Sequence, residues 1–213
     1  MQKLISFFSI LVFIVACESE HTDAPKKTQE VVYPMLDVET LFEKNQQFSN
    51  HTMIDLLKEL KICNMAQKDE NDFMNPACSP FYFKFFIFND QLPLENSFLL
   101  QIKSKTNGFP LRRLLVFQRE RGELVKVNGF VANLIGVQQT KNNYYDLLLR
   151  FNGKEEGETI FYNCVFKWKN KKYEFEYVRD IEGDNWGGPV KLKDRDSVSK
   201  LIYQELNDNK MFF

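Results

Sequence analysis

The chain has 213 residues, with 28 lysines and arginines against 29 aspartates and glutamates, a formal net charge of −1. No basic excess is present, which argues against binding a nucleic acid through its phosphate backbone. Two histidines, His21 in a polar stretch and His51 at a helix start, with dispersed cysteines, offer neither a zinc site nor a histidine-dependent nucleophile. The 21 Phe and 8 Tyr read as core, because large rings bury much apolar area each.

Met1-Gln2-Lys3 is a short n-region with one cation, and Leu4 to Val15 is an apolar run broken only by Ser6 and Ser9. At about 1.5 Å per helical residue the run reaches roughly 18 Å, short of a hydrocarbon core of about 30 Å. It therefore reads as the h-region of a signal peptide, residues 1–16, and not as a transmembrane anchor. The end of the run, Ile14-Val15-Ala16-Cys17, resembles the lipobox of bacterial lipoproteins. That resemblance implies cleavage before Cys17 and lipidation of its thiol. Each buried CH₂ contributes about 0.8 kcal/mol and a single chain holds only marginally, so two or three acyl chains give stable anchoring.

Removing sixteen residues from 213 leaves 197, enough for one sizeable domain, and losing Lys3 brings the net charge near −2. Residues 17–34 have little apolar content before Val31 and read as a lipidated, flexible tether. The acidic start, Glu18-Ser19-Glu20, loosely resembles the residues that follow the lipidated cysteine in Bacteroidetes-type lipoproteins. Residues 35–213 then form a single globular α+β domain.

Asp37 is placed to cap a helix over about 38–48, with Leu41, Phe42 and Phe48 on its apolar side. Thr52 and Asp55 resemble a capping box for a second helix, about 53–65, whose Met53, Leu56, Leu57, Leu60 and Cys63 recur at helical spacing. The polar loop 66–80 follows. An exported chain meets an oxidising compartment, so Cys63 and Cys78 are a candidate disulfide. It would close a loop of about fifteen residues and contribute up to roughly 3 kcal/mol; the alternative is two free thiols. Cys164 lies in an apolar strand and reads as a small buried hydrophobe.

From Phe81 the period changes to two. Phe81 to Phe88 is apolar on both faces and reads as a central strand. Further strands are expected over about 97–103, 112–119, 123–127, 130–137, 144–151, 159–168 and 172–178, about eight in all across residues 81–178. Asn128-Gly129 is the strongest hairpin signal, because both residues tolerate the positive φ of a type I′ turn. Lys169 to Lys172 forms a second tight turn. Ile160, Tyr162, Cys164, Phe166 and Trp168 share one face and are expected to pair with Tyr173, Phe175 and Tyr177 as one aromatic layer. A glycine-rich loop spans 180–189, and a last helix, about 197–208, starts at Asp196 or Ser197. Met211-Phe212-Phe213 is expected to dock on the body.

The fold class is therefore α+β, a mainly antiparallel sheet with two N-terminal helices and one C-terminal helix. No catalytic residue, metal ligand or cofactor motif emerges. Asp180, Glu182 and Asp184 alternate but lack the spacing and terminal Glu of a calcium loop. Asp184 and Trp186 are the candidate binding residues, a tryptophan between polar and glycine neighbours being a plausible recognition anchor. Arg112, Arg113, Arg119 and Arg121 read as the wet face and turn of two strands. The sequence points to a lipid-anchored envelope protein, with an outer-membrane location on the periplasmic or the surface face. Its expected role is a non-catalytic binding module for an envelope or extracellular protein, of inhibitor or immunity type. The alternatives are an accessory subunit of an outer-membrane assembly and a glycan-acting enzyme using carboxylates alone. The expected contacts are the membrane, through the N-terminal lipid, and a protein partner, with no nucleic acid.

Overall fold

Residues 34–38, 42, 46–68, 72–103, 112–155, 157–183 and 188–213 are described in the computed structural model, all within the unit Tyr33–Phe213. Their elements run β1 (Met35–Asp37), α1 (His51–Leu60), β2 (Phe83–Phe86), β3 (Ser97–Lys103), β4 (Arg112–Glu120) and β5 (Glu123–Phe130). They continue with β6 (Asn133–Gln138), β7 (Asp146–Glu155), β8 (Glu158–Lys169), β9 (Lys172–Glu182), β10 (Gly188–Pro189) and α2 (Leu192–Asp208). The class is α+β, mostly antiparallel β. The strands form a four-stranded sheet in sequence order, β2-β3-β4-β5, and a six-stranded sheet ordered β1-β6-β7-β8-β9-β10.

Strand alternation divides the apolar residues between two clusters. Leu99, Leu114, Val116 and Phe130 leave one face of the four-stranded sheet and meet Leu147, Leu149, Phe151, Tyr162, Cys164 and Phe166 of the six-stranded sheet, with Ile202 and Leu206 of α2. From the opposite face of the smaller sheet, Phe83, Phe98, Leu100 and Phe117 pack with Leu56 and Leu57 of α1. The smaller sheet is thus covered on both sides, and β3 is buried along Ser97–Gln101. Phe166 touches Phe130, Phe151, Phe175 and Phe212 and sits at the centre of the aromatic packing. Tyr144 and Trp168 stack at 4.5 Å, with Phe88 and Tyr173 against the tryptophan.

Two buried amides join the sheets. Gln101, fully buried on β3, donates from Nε2 to Arg113 O and Ala132 O at 3.1 Å, and its Oε1 accepts from Leu134 N at 2.9 Å. It therefore pins the crossover from β5 to β6, where the chain changes sheet. Asn128 on β5 accepts from Tyr173 N at 2.6 Å and donates to Tyr173 O at 3.2 Å, closing the exposed edge of β9. Further along that edge, Ser199 Oγ accepts from Val178 N at 2.9 Å, Val190 N donates to Arg179 O, and β10 pairs with Ile181 and Asp180. An edge strand left open is a template for foreign pairing, and these contacts cover β9 at Tyr173 and over Val178–Ile181.

The open edge of β5 is closed by the end of the chain. Gly129 and Phe213 exchange backbone hydrogen bonds of 2.6 and 2.8 Å, and Val131 N donates to Met211 O at 2.8 Å. A Cβ on Gly129 would lie 2.4 Å from the nearest atom of the Phe213 ring, so any larger residue here has to move that ring. Gly129→Ala is expected to displace the ring at a cost of about 1–3 kcal/mol. Adding Phe213→Ala should recover most of that loss. Urea denaturation of the four chains of this cycle checks the contact, and strictly additive losses would contradict it.

Several sequence expectations need correction. Ten strands replace about eight, because Met35–Asp37 pairs with β6 and Gly188–Pro189 with β9. Of the expected helix over 38–48, the described residues 38, 42 and 46–48 are not helical, so among the described residues a single helix, α1, precedes β2, and it follows β1. The second helix runs 51–60, not 53–65: Asn50 Oδ1 caps it by accepting from Thr52 N at 2.5 Å, and Lys61 ends it at φ 54°. Phe81–Phe88 is not one central strand. Tyr82 N and Phe83 N donate to Ser79 O in a turn, β2 is an edge strand, and Phe88 O accepts from Tyr145 N across the sheets. The segment is apolar all round because it passes from one cluster to the other.

Asn128-Gly129 is no hairpin turn but the end of β5. The two-residue turns with positive φ at both positions are Arg121-Gly122 (52° and 91°) and Asn170-Lys171 (51° and 63°). Trp168 pairs with Tyr173 and Phe166 with Phe175, but an irregularity between Val165 and Phe166 turns Tyr177 to the opposite face, opposite Val165. The last helix starts at Leu192, one turn early, so Asp196 and Ser197 lie inside it.

Candidate functional site

The site is built around α1. Asn50 starts the helix, and Leu56 and Leu57 bury its inner face. Glu59, on its outer side, makes a two-pronged ion pair with Arg119 of β4, with both N–O distances 2.8 Å. Arg119 also donates to Glu95 O at 3.0 Å and Gly122 O at 2.7 Å. These bonds fix the guanidinium and lock α1 to the smaller sheet. The Arg119 hydrogen bond holds the Glu59 carboxyl below its usual value. The stabilisation from the pair is therefore complete above the ordinary carboxylate pKa and disappears as pH falls through the lowered one.

Behind α1 the chain returns through a disulfide. Cys63 and Cys78 are bonded, with Cα atoms 5.1 Å apart. Asn64 N donates to Pro76 O at 2.8 Å beside it, and Asn64 bridges Ala77 in parallel. The turn that follows is held by Ser79, whose Oγ accepts from Phe81 N at 3.2 Å.

Between this turn and the start of α1 lies an open cleft of about 380 Å³. Gln46, Gln47, Ser49, Asn50 and His51 line it, with Cys78, Ser79 and Pro80 from the disulfide side. Phe48 and Ile54 add apolar surface, and Phe48 is anchored edge-on against Phe85 at 6.0 Å. Among the described residues, no lysine, arginine, aspartate or glutamate lines the cleft. Its volume lies at the lower end of the roughly 300–1,000 Å³ of small-ligand sites.

The remaining site candidates fall elsewhere. Cys17, Asp184 and Trp186 lie outside the described residues. Asp180 and Glu182 are strand residues of β9, not loop ligands: Arg150 donates to Glu182 at 2.6 Å, and Asn163 donates to both acids. No group of three or more metal-ligating side chains occurs among the described residues. Of the four arginines, Arg119 is committed to Glu59, Arg121 forms a turn and Arg112 lies 4.9 Å over the Phe42 ring. Cys164 is fully buried, and burial pushes its thiol well above the usual range. Sequence reasoning missed the cleft because it placed 38–48 in a helix. The signal available was the polar run Gln46-Gln47, Ser49-Asn50-His51 interrupted only by Phe48.

No protein-family model, no curated protein and no solved structure matches this chain.

Proposed function

We propose that the protein is a lipid-anchored component of the cell envelope, held by acylated Cys17, and that it acts as a non-catalytic binding module. In this reading an inhibitor or immunity-type partner interaction uses the face formed by α1 and the disulfide loop. The observation that carries it is the Cys63–Cys78 bond beside an open, polar cleft. Disulfides persist in exported chains and are rare in reducing compartments, which agrees with the signal-peptide pattern of residues 1–16. The disulfide borders the cleft through Cys78, and a preformed site loses less ordering entropy on binding.

The redox state in cells tests the location. Differential alkylation and mass spectrometry of protein taken from intact cells should find Cys63 joined to Cys78. Cys164 should resist alkylation until the chain is denatured, because it is buried and its thiolate is disfavoured. Recovery of Cys63 and Cys78 as free thiols would contradict an exported location.

A further inference from the structure

We propose that the cleft between Gln46–His51 and Cys78–Pro80 binds an uncharged glycan. The proposal rests on the binding-module reading and names the chemistry of its ligand. The side chains lining the cleft include three amides, from Gln46, Gln47 and Asn50, two hydroxyls, from Ser49 and Ser79, and the His51 imidazole. Each such group has both donor and acceptor capacity, of which Asn50 Oδ1 and Ser79 Oγ already use part on the backbone and Ser49 Oγ on Met53 Sδ at 3.9 Å. Sugar hydroxyls also donate and accept at once, so a ring carrying several of them is matched by a cluster of amides and hydroxyls. Phe48, Ile54 and Pro80 supply apolar surface for the C–H faces of a sugar ring. Among the described residues, none that lines the cleft is charged, so this lining offers hydrogen bonds and no counter-charge to a phosphate, a carboxylate or an ammonium group.

A peptide is served less well. Peptides are held by adding a strand to a sheet edge or by laying an apolar helix face in a groove. None of the residues lining the cleft belongs to a strand, and its apolar residues do not form a stripe. The side chains least tied into the fold are Gln47 and His51, both exposed. Asn50 already caps α1 and Ser79 already closes a turn, so they are unsuitable for a clean test.

The experiment is saturation-transfer NMR on the full-length lipidated protein, in a detergent without a sugar headgroup. The probes are neutral trisaccharides of glucose and of N-acetylglucosamine, an uncharged tripeptide and inorganic phosphate. A trisaccharide should receive saturation, and Gln47→Ala and His51→Ala should each weaken it about five- to tenfold, the worth of one neutral hydrogen bond. Gln139→Ala, which loses a bond to Asp90 on a different loop, should leave it unchanged. No transfer to either trisaccharide, or transfer indifferent to both cleft variants, overturns the proposal. Transfer to the tripeptide or phosphate alone, lost in the cleft variants, overturns the glycan class while the binding-module reading stands. Glycan binding by a chain whose Cys63 and Cys78 are reduced in cells would support the glycan site and contradict the exported location.

Discussion

Gln101→Leu is expected to cost about 3–5 kcal/mol. The amide is fully buried and satisfies three backbone groups, Arg113 O, Ala132 O and Leu134 N. Leucine has nearly the same volume and fills the space, so no cavity is left. What remains is three buried backbone groups without partners, each costing about 1–3 kcal/mol, with some relief where a carbonyl keeps a second bond. The damage falls on the crossover between sheets, so the two sheets should lose their fixed relation before either loses its strands. Gln101→Glu separates shape from chemistry. It buries a charge beside two carbonyl oxygens, which raises its folded pKa above the unfolded value. That variant should therefore be least stable at neutral pH and recover as pH falls through the raised pKa, when the protonated acid can again donate. Urea denaturation at two pH values measures both. A loss below about 1 kcal/mol for Gln101→Leu would show that the bracket contributes nothing beyond packing.

Removing the disulfide by replacing Cys63 and Cys78 with serine is expected to cost about 3 kcal/mol, the loop-closure entropy of fifteen residues. The hydrogen bond from Asn64 to Pro76 and the bridge to Ala77 keep the loop ends together in the folded state. Most of the loss should therefore come from a freer unfolded chain, and spectra of the folded variant should change only around residues 63–80. Chemical denaturation of the variant, and of the wild type with reductant, should give the same midpoint. A variant within about 0.5 kcal/mol of wild type would mean that the bond does not restrain the unfolded state.

The reach of sequence reasoning follows local physics. Strands rich in apolar residues and paired with sequence neighbours, β3, β4, β7 and β8, lie close to where the sequence places them. The failures share one cause, which is long-range pairing. Asn128-Gly129 carries the strongest local turn signal, yet Asn128 serves Tyr173, 45 residues away, and Gly129 makes room for Phe213. Nothing within a ten-residue window encodes either contact. The segment Phe81–Phe88, apolar but for Lys84, reads as a central strand, but its apolarity reflects a passage between two cores. Asp180 and Glu182 looked like free acids in a loop until Arg150 and Asn163 were brought opposite them by strand register. At the cleft, His51 and the cysteines were visible, but their convergence with Gln47 and Ser79 depends on the disulfide and on the turn after it. The expectation of a lipobox rests on the contiguous run Ile14-Val15-Ala16-Cys17, a pattern read without reference to the fold.

Anchoring through Cys17 is tested most directly by intact mass and membrane partitioning of the native protein beside a Cys17→Ala variant. The wild type should begin at Cys17, carry the mass of its acyl chains and stay with the membrane fraction. The variant should lose both the acyl mass and the retention. A wild-type chain found in the cytosol with Met1 in place and no acyl mass would contradict the envelope reading and remove the oxidising setting on which the Cys63–Cys78 bond depends.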